Sequence, residues 1–311
     1  MGAKVLTSIA LLAGSILLAL APMVSSDYGI SVLLDLLMWV SLTASWIVLS
    51  GFAGYFSLAH SAFYGLGAYF MAMVWMQIPY VPCIILAGCL SAGFAMAIGF
   101  PFLRVRGPYF VILTLGLTEI TKYIFINLEI KFGGTVGRIL MGAPSLHTMY
   151  YSMLIVCIVT LATAQIVKHS RLGTALFAIR EDEDAAGAIG VNAPFSKWIA
   201  FGISAFFPGM VGAIMALRRS YIDPYTVFDP VVSFLVIVMA FLGGISSVQG
   251  AVVGAVLLTL LSELLWAQYP YSYMIILGVI MVFIVKFMPE GVVVPVQVLL
   301  AGKKKAAQCP C

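Results

Sequence analysis

Apolar residues run through this chain in long blocks separated by short polar or glycine-rich intervals. Ten such blocks can be drawn, at 5–22, 32–50, 57–77, 81–103, 108–128, 150–167, 198–217, 231–242, 251–267 and 273–287. A block of about 20 apolar residues crosses a bilayer core as a helix. Barrel strands would alternate at every second residue, and these blocks do not. The pattern predicts an all-α polytopic membrane protein with about 8–10 transmembrane helices, some discontinuous.

One interval follows another period. Between 170 and 197, Leu172, Ala175, Leu176 and Ile179 recur at helical spacing and lay an apolar stripe along one face. Arg180, Glu181, Asp182, Glu183 and Asp184 follow in succession. Ala185, Ala186 and Ile189 then continue the helix until Gly190, Asn192 and Pro194 stop it. An amphipathic helix between membrane blocks reads as a water-facing device that touches another chain.

Composition strengthens this picture. Hydrophobic residues make up 63% of the chain and charged residues 9%, where a soluble domain carries roughly 25% charged residues. The formal net charge of +4 is ordinary for a protein with lysines on its cytoplasmic side and calls for no nucleic-acid partner. With the 170–197 loop in the cytoplasm, alternating blocks put Lys4, Arg104, Arg106, Lys168, Arg171, Arg180, Lys197, Lys286 and the lysines at 303–305 on that side. Only Lys122, Lys131, Arg138, Arg218 and Arg219 fall at the other, so both termini are expected in the cytoplasm. The run after Lys4 could be a secretory signal, with Ala19-Leu20-Ala21 as its cleavage site, but its length favours a retained first helix. The chain divides into one transmembrane domain over 1–300, containing a coupling loop at 168–197, and a cytoplasmic tail over 301–311. Cys83, Cys89, Cys157, Cys309 and Cys311 lack zinc-site spacing, and structural disulfides are not expected.

Two intervals are rich in glycine and serine: 51–57 (GFAGYFS) and 243–250 (GGISSVQG). Paired interruptions in two halves of a transporter point to discontinuous helices and an internal repeat. Tight turns between hairpin helices would use the same residues, and the two readings weigh about evenly. Residues 129–148 form either a cap over the outer mouth or a plain linker.

The chain shows no catalytic constellation. A phosphate-cradling GxxxxGK[ST] motif is absent, so ATP is not bound here in the P-loop manner. His60, His147 and His169 lack companions at metal-ligand spacing, and no serine sits in a GxSxG turn. Candidates for lining a solute path are the groups at the two breaks, Gly51, Gly54, Ser57, His60, Gly243, Gly244, Ser246 and Ser247, together with Glu263, a carboxylate near a block's outer end without an evident local partner. A lone histidine in a bundle is more often hydrogen-bonded packing. Glu119 and Lys122 are one turn apart and read as a structural ion pair; Asp35 reads as interfacial.

Four collinear stretches, 51–70 (GFAGYFSLAHSAFYGLGAYF), 104–120 (RVRGPYFVILTLGLTEI), 170–192 (SRLGTALFAIREDEDAAGAIGVN) and 241–258 (FLGGISSVQGAVVGAVLL), closely resemble bacterial ABC-importer permeases of the branched-chain amino-acid family, LivM type. That family carries an EAA-type signature with glycine four residues after the second alanine. Asp184-Ala185-Ala186 and Gly190 match it here, with aspartate in place of glutamate. The resemblance implies a multi-pass inner-membrane permease that pairs with a LivH-type permease. Two ATPases of LivG and LivF type, holding ATP and magnesium, would dock on the loop, and a periplasmic binding protein would deliver the solute. Leu172, Leu176, Ile179, Arg180, Glu181, Asp182, Glu183, Asp184, Ala185, Ala186 and Gly190 would form the ATPase-coupling element, with Glu181 to Asp184 pairing with basic groups at the docking groove's rim. The solute would be a branched-chain amino acid or similar small amino acid, with urea or an amide as the alternative. An ion-gradient-driven secondary transporter would also use paired broken helices, but gives the acidic helix no purpose. An intramembrane enzyme lacks its dyads and metal motifs.

Overall fold

The computed structural model describes residues 26–269, with Leu18, Ala21–Met23 and five positions between 275 and 282. The blocks at 5–22 and 273–287 and the tail lie largely outside the described residues. Among these, seven helices are long and apolar enough to cross a membrane. Helix α1 (Asp27–Trp46) ends in a π-helical turn, Ile47–Gly51. After a break come α2 (His60–Val74), α3 (Tyr80–Phe102) and α4 (Pro108–Gly133). Strand β1 (Arg138–Ile139) leads to α5 (Leu146–His169), and α6 (Arg171–Glu181) and α7 (Glu183–Ala188) form an elbow before α8 (Ala193–Arg219). Strand β2 (Tyr221–Ile222), the single turn α9 (Pro224–Val227), α10 (Pro230–Gly243) and α11 (Val248–Gln268) complete the described chain.

Of the seven spans, the most enclosed are those of α8 and α1. Helix α8 packs chiefly on α3 and α2, while α1 packs on α5 and α11. Lipid tails are as apolar as leucine, so membrane helices hold together by close packing rather than by escape from water. Glycines supply that closeness: a Cβ on Gly67 of α2 would sit 1.9 Å from the Gly209 carbonyl oxygen of α8.

Among the blocks within the described residues, 57–77 is the one that does not become a full span. Helix α2 has 15 residues and reaches about 22 Å at 1.5 Å per residue, short of a core of about 30 Å. Residues 54–58, non-helical and largely buried, supply the missing length.

At the end of the bundle away from the elbow, β1 pairs antiparallel with β2, Arg138 opposite Ile222. Glu129, 2% exposed, accepts from the Gly137 amide at 2.8 Å and from Arg138 Nε at 3.3 Å. Trp75 Nε1 donates to the Met141 carbonyl at 3.0 Å. Residues 137–141 are thus tied to the bundle as a cap. Lys122 and Glu119 pair at 2.5 Å. Arg218 grips Asp35 with Nη1 and Nη2, and Nη2 also donates to Ser31 Oγ at 2.6 Å. Glu263 accepts from Tyr28 Oη at 2.6 Å.

Candidate functional site

The 170–189 region is two helices, not one. Asp182 leaves the helical conformation and its carboxylate accepts from the amides of Asp184 and Ala185 at 2.9 and 3.0 Å, capping α7. An aspartate at this position satisfies amides that a helix start leaves without partners. At the far end of α7, Val191 N donates to Ala186 O and Gly190 N to Gly187 O, the paired bonds of a Schellman stop. Gly190 has φ +90° there, a conformation that a side chain would strain. That accounts physically for the glycine spaced after Asp184-Ala185-Ala186.

The elbow's two faces are distinct. Leu176, Ile179 and Ala186 are buried, Leu172 is half-buried, and the Phe177 ring packs at a tilt of 46° against Phe52 with centroids 5.1 Å apart. Burial of a side chain such as leucine or isoleucine contributes about 1.5–3 kcal/mol, enough to hold the elbow against its own bundle. Glu181, Ala185, Ala188 and Ile189 face outward, and Ile189 is 78% exposed.

Two anchors tie the elbow to the first break. Arg180 Nη1 donates to the Gly51 carbonyl at 3.0 Å, and its side chain packs over Gly54. Gly51 ends the π-helical turn, so a cation meets the negative end of a helix dipole. The second anchor is a cluster. Lys197 Nζ, 2% exposed on α8, donates to Glu183 Oε1 at 2.7 Å, Tyr55 Oη at 2.9 Å and the Leu103 carbonyl at 3.1 Å. Tyr55 Oη donates to Glu183 Oε2 at 2.5 Å. Arg106 reaches Glu183 at 3.4 Å and grips Asp184 with bonds of 3.1 and 3.2 Å. Burial pushes the Glu183 carboxyl up, but the hydrogen bonds from Lys197 and Tyr55 and the charges of Lys197 and Arg106 outweigh it, so it titrates below its ordinary value. The Arg106 bonds hold Asp184 below its ordinary value as well. Sequence reasoning assigned Glu183 and Asp184 to a partner's rim; the structure engages both with basic groups of this chain.

The two breaks meet. A Cβ on Gly51 would lie 2.3 Å from the Ile245 carbonyl oxygen, and Phe56 stacks on Phe241 at 5.9 Å. Lys168 at the end of α5 donates to the Ser246 carbonyl at 3.1 Å. Their forms differ, however. The second is a tight turn between α10 and α11, where a Cβ on Gly243 would sit 1.7 Å from the Gly250 carbonyl oxygen. The first is a non-helical stretch within the bundle, and at Ser57 and Leu58 its backbone partners come from side chains. Trp46 Nε1 donates to Ser57 O at 2.9 Å. Thr118 and Ser233 donate to Leu58 O at 3.2 and 2.9 Å. Thr114 Oγ1 accepts from Leu58 N at 3.0 Å. These bonds matter because an unpaired backbone group away from water costs several kcal/mol.

Of the path candidates, Gly51, Ser57, His60, Gly243 and Gly244 are buried, Gly54 and Glu263 are half-buried, and Ser246 and Ser247 lie at the elbow end. His60 Nε2 lies 3.4 Å from Ser45 Oγ, and Nδ1 has no partner among the described residues. Lys197, Tyr55 and Arg106 were not singled out from sequence; the available signal was a lysine opening an apolar block, which needs a partner once buried.

Comparison with known proteins places this arrangement. The family model described as branched-chain amino acid transport system / permease component matches residues 28–285. The chain belongs to that family. This permease is 30% identical over 297 residues to the high-affinity branched-chain amino acid transport system permease protein LivM of Salmonella typhimurium, a match spanning 84% of this chain and 69% of the relative. It is 29% identical to LivM of Escherichia coli K12 over the same shares. LivH of Escherichia coli K12 matches at 26% over 180 residues, 57% of this chain and 58% of the relative. No solved structure matches the permease.

Proposed function

We propose that this chain is a membrane-spanning subunit of an ATP-binding cassette importer in the bacterial inner membrane. It translocates a branched-chain amino acid or a similar small amino acid or amide. The relatives' names support the class of solute. The α6–α7 elbow carries the reading, because its inward face is bonded to the first break while Glu181, Ala185, Ala188 and Ile189 face outward. A short helix moves as a unit, so displacement of the elbow reaches Gly51 through Arg180 and Tyr55 through Glu183. ATP and magnesium belong to two partner ATPases of LivG and LivF type that dock on the outward face. A LivH-type permease completes the membrane pair, and a periplasmic binding protein delivers the solute. The elbow and both termini lie in the cytoplasm in this scheme, and the chain transports rather than catalyses.

Reconstitution of the four membrane and ATPase subunits tests the reading. Glu181→Lys with Ile189→Asp should abolish ATPase docking and uptake while the subunit remains inserted. Undiminished uptake by that variant, or uptake that survives ATP depletion and collapses with a protonophore, would refute it.

A further inference from the structure

Beside the elbow, between the last turn of α3 and the first turn of α8, lies a cleft of about 630 Å³, within the range of small-ligand sites, about 300–1,000 Å³. Its walls are Phe100, Leu103, Phe195 and Trp198, and Arg104 and Arg106 stand among them. Phe100 is 63% and Phe195 55% exposed, large apolar surfaces with no covering segment among the described residues. Arg106 is committed to Glu183 and Asp184. Arg104 is not: its one contact among the described residues is the face of the Phe100 ring, 4.6 Å from the guanidinium carbon. An exposed guanidinium beside an apolar cleft suits an anion with an apolar body.

The surroundings indicate which anion. Leu86, Leu90, Gly93, Ala97 and Phe100 are all exposed on α3 at helical spacing, a strip that runs from the middle of this membrane-spanning helix down to the cleft. Arg104 stands one turn beyond Phe100, at the depth where a membrane helix ends and headgroups begin. An anionic headgroup at Arg104 would let an acyl chain follow the strip into the bilayer; a water-soluble partner could use the cation but not the strip. We infer that this cleft binds an anionic glycerophospholipid, its phosphate on Arg104 and its proximal acyl carbons against Phe100, Phe195 and Trp198. Basic pockets at helix ends are suited to such headgroups. Because Arg106 both lines the cleft and grips Asp184, lipid occupancy borders directly on the elbow.

The test needs binding alone, not transport, so it fails or succeeds independently of the proposed function. The full-length chain is placed in phosphatidylcholine nanodiscs doped with photoactivatable phosphatidylglycerol, and labelled peptides are mapped by mass spectrometry. Labelling should concentrate at 100–106 and 192–198 and saturate with the phosphatidylglycerol fraction. It should fall about tenfold in Arg104→Ala, the loss of a charge-assisted contact, and be largely kept in Arg104→Lys. Arg171→Ala removes another exposed cation at the same end of the bundle and should leave labelling unchanged. Equal loss in the Arg104 and Arg171 variants, equal labelling by a phosphatidylcholine probe, or labelling that vanishes once the partner subunits assemble would overturn the inference.

Discussion

Lys197→Met is the sharpest perturbation of the joint between elbow and membrane domain. All three ammonium hydrogens are in use, on Glu183, Tyr55 and the Leu103 carbonyl. Removing one partner of a buried ion pair costs about 3–5 kcal/mol, chiefly because the other charge is stranded. Here the stranded carboxylate has 14% of its side chain exposed and keeps Arg106 at 3.4 Å, so the cost falls at or just below the bottom of that range, about 2–3 kcal/mol. For a chain of this size that lowers the unfolding midpoint by about 3–5 °C. Glu183→Gln in the same chain removes the stranded charge, so the double variant should regain about 1–3 kcal/mol relative to the sum of the single ones. Thermal unfolding of the purified subunit gives the first readout. Uptake per ATP hydrolysed in proteoliposomes gives the second, and it should fall in Lys197→Met even at temperatures where the protein is folded. Additive single effects together with an unchanged uptake-to-hydrolysis ratio would show that the cluster is mere packing.

Acid should spare the joint until well below neutrality. Glu183 and Asp184 both titrate below their ordinary values of 4.5 and 3.8, so their contribution is fully present above those values and is lost as pH falls through the lowered ones. Uptake per ATP, followed by rapid assay, should stay flat down to about pH 5; a midpoint near pH 6 would assign the control to another group. Ser233→Ala should destabilise the subunit by about 1–3 kcal/mol, because Leu58 O then keeps only Thr118 and Ser61 N loses its acceptor. Hydrogen exchange at Ser61 should quicken in that variant, and unchanged protection would show that another group had replaced the hydroxyl.

The long spans were legible because a bilayer imposes one requirement on every crossing, a helix of sufficient apolar length, and composition alone reports it. The interval at 51–57 was legible as a glycine- and serine-rich break, but its form was not, because the hydroxyls of Thr114, Thr118 and Ser233 that satisfy the non-helical backbone at Leu58 are distant in sequence. The elbow's apolar stripe was legible from its spacing, and the structure puts Leu176 and Ile179 on the inward face. Its bend at Asp182 was hidden inside a charge run, although an aspartate followed by Glu183 and Asp184 is also a helix start. Pairing was the least visible part. Glu183 meets Tyr55 across 128 residues of chain, and no local period encodes a contact of that kind.

The bond from Ser233 to the Leu58 carbonyl joins residues 175 apart in sequence. At synthesis rates of about 5–20 residues per second, that separation is about 9–35 s. During that interval the non-helical stretch has been made while one of its hydrogen-bond donors has not. The first break is therefore completed only once residue 233 has been made, and a chain truncated before it would leave the Leu58 carbonyl with Thr118 alone and the Ser61 amide without its acceptor.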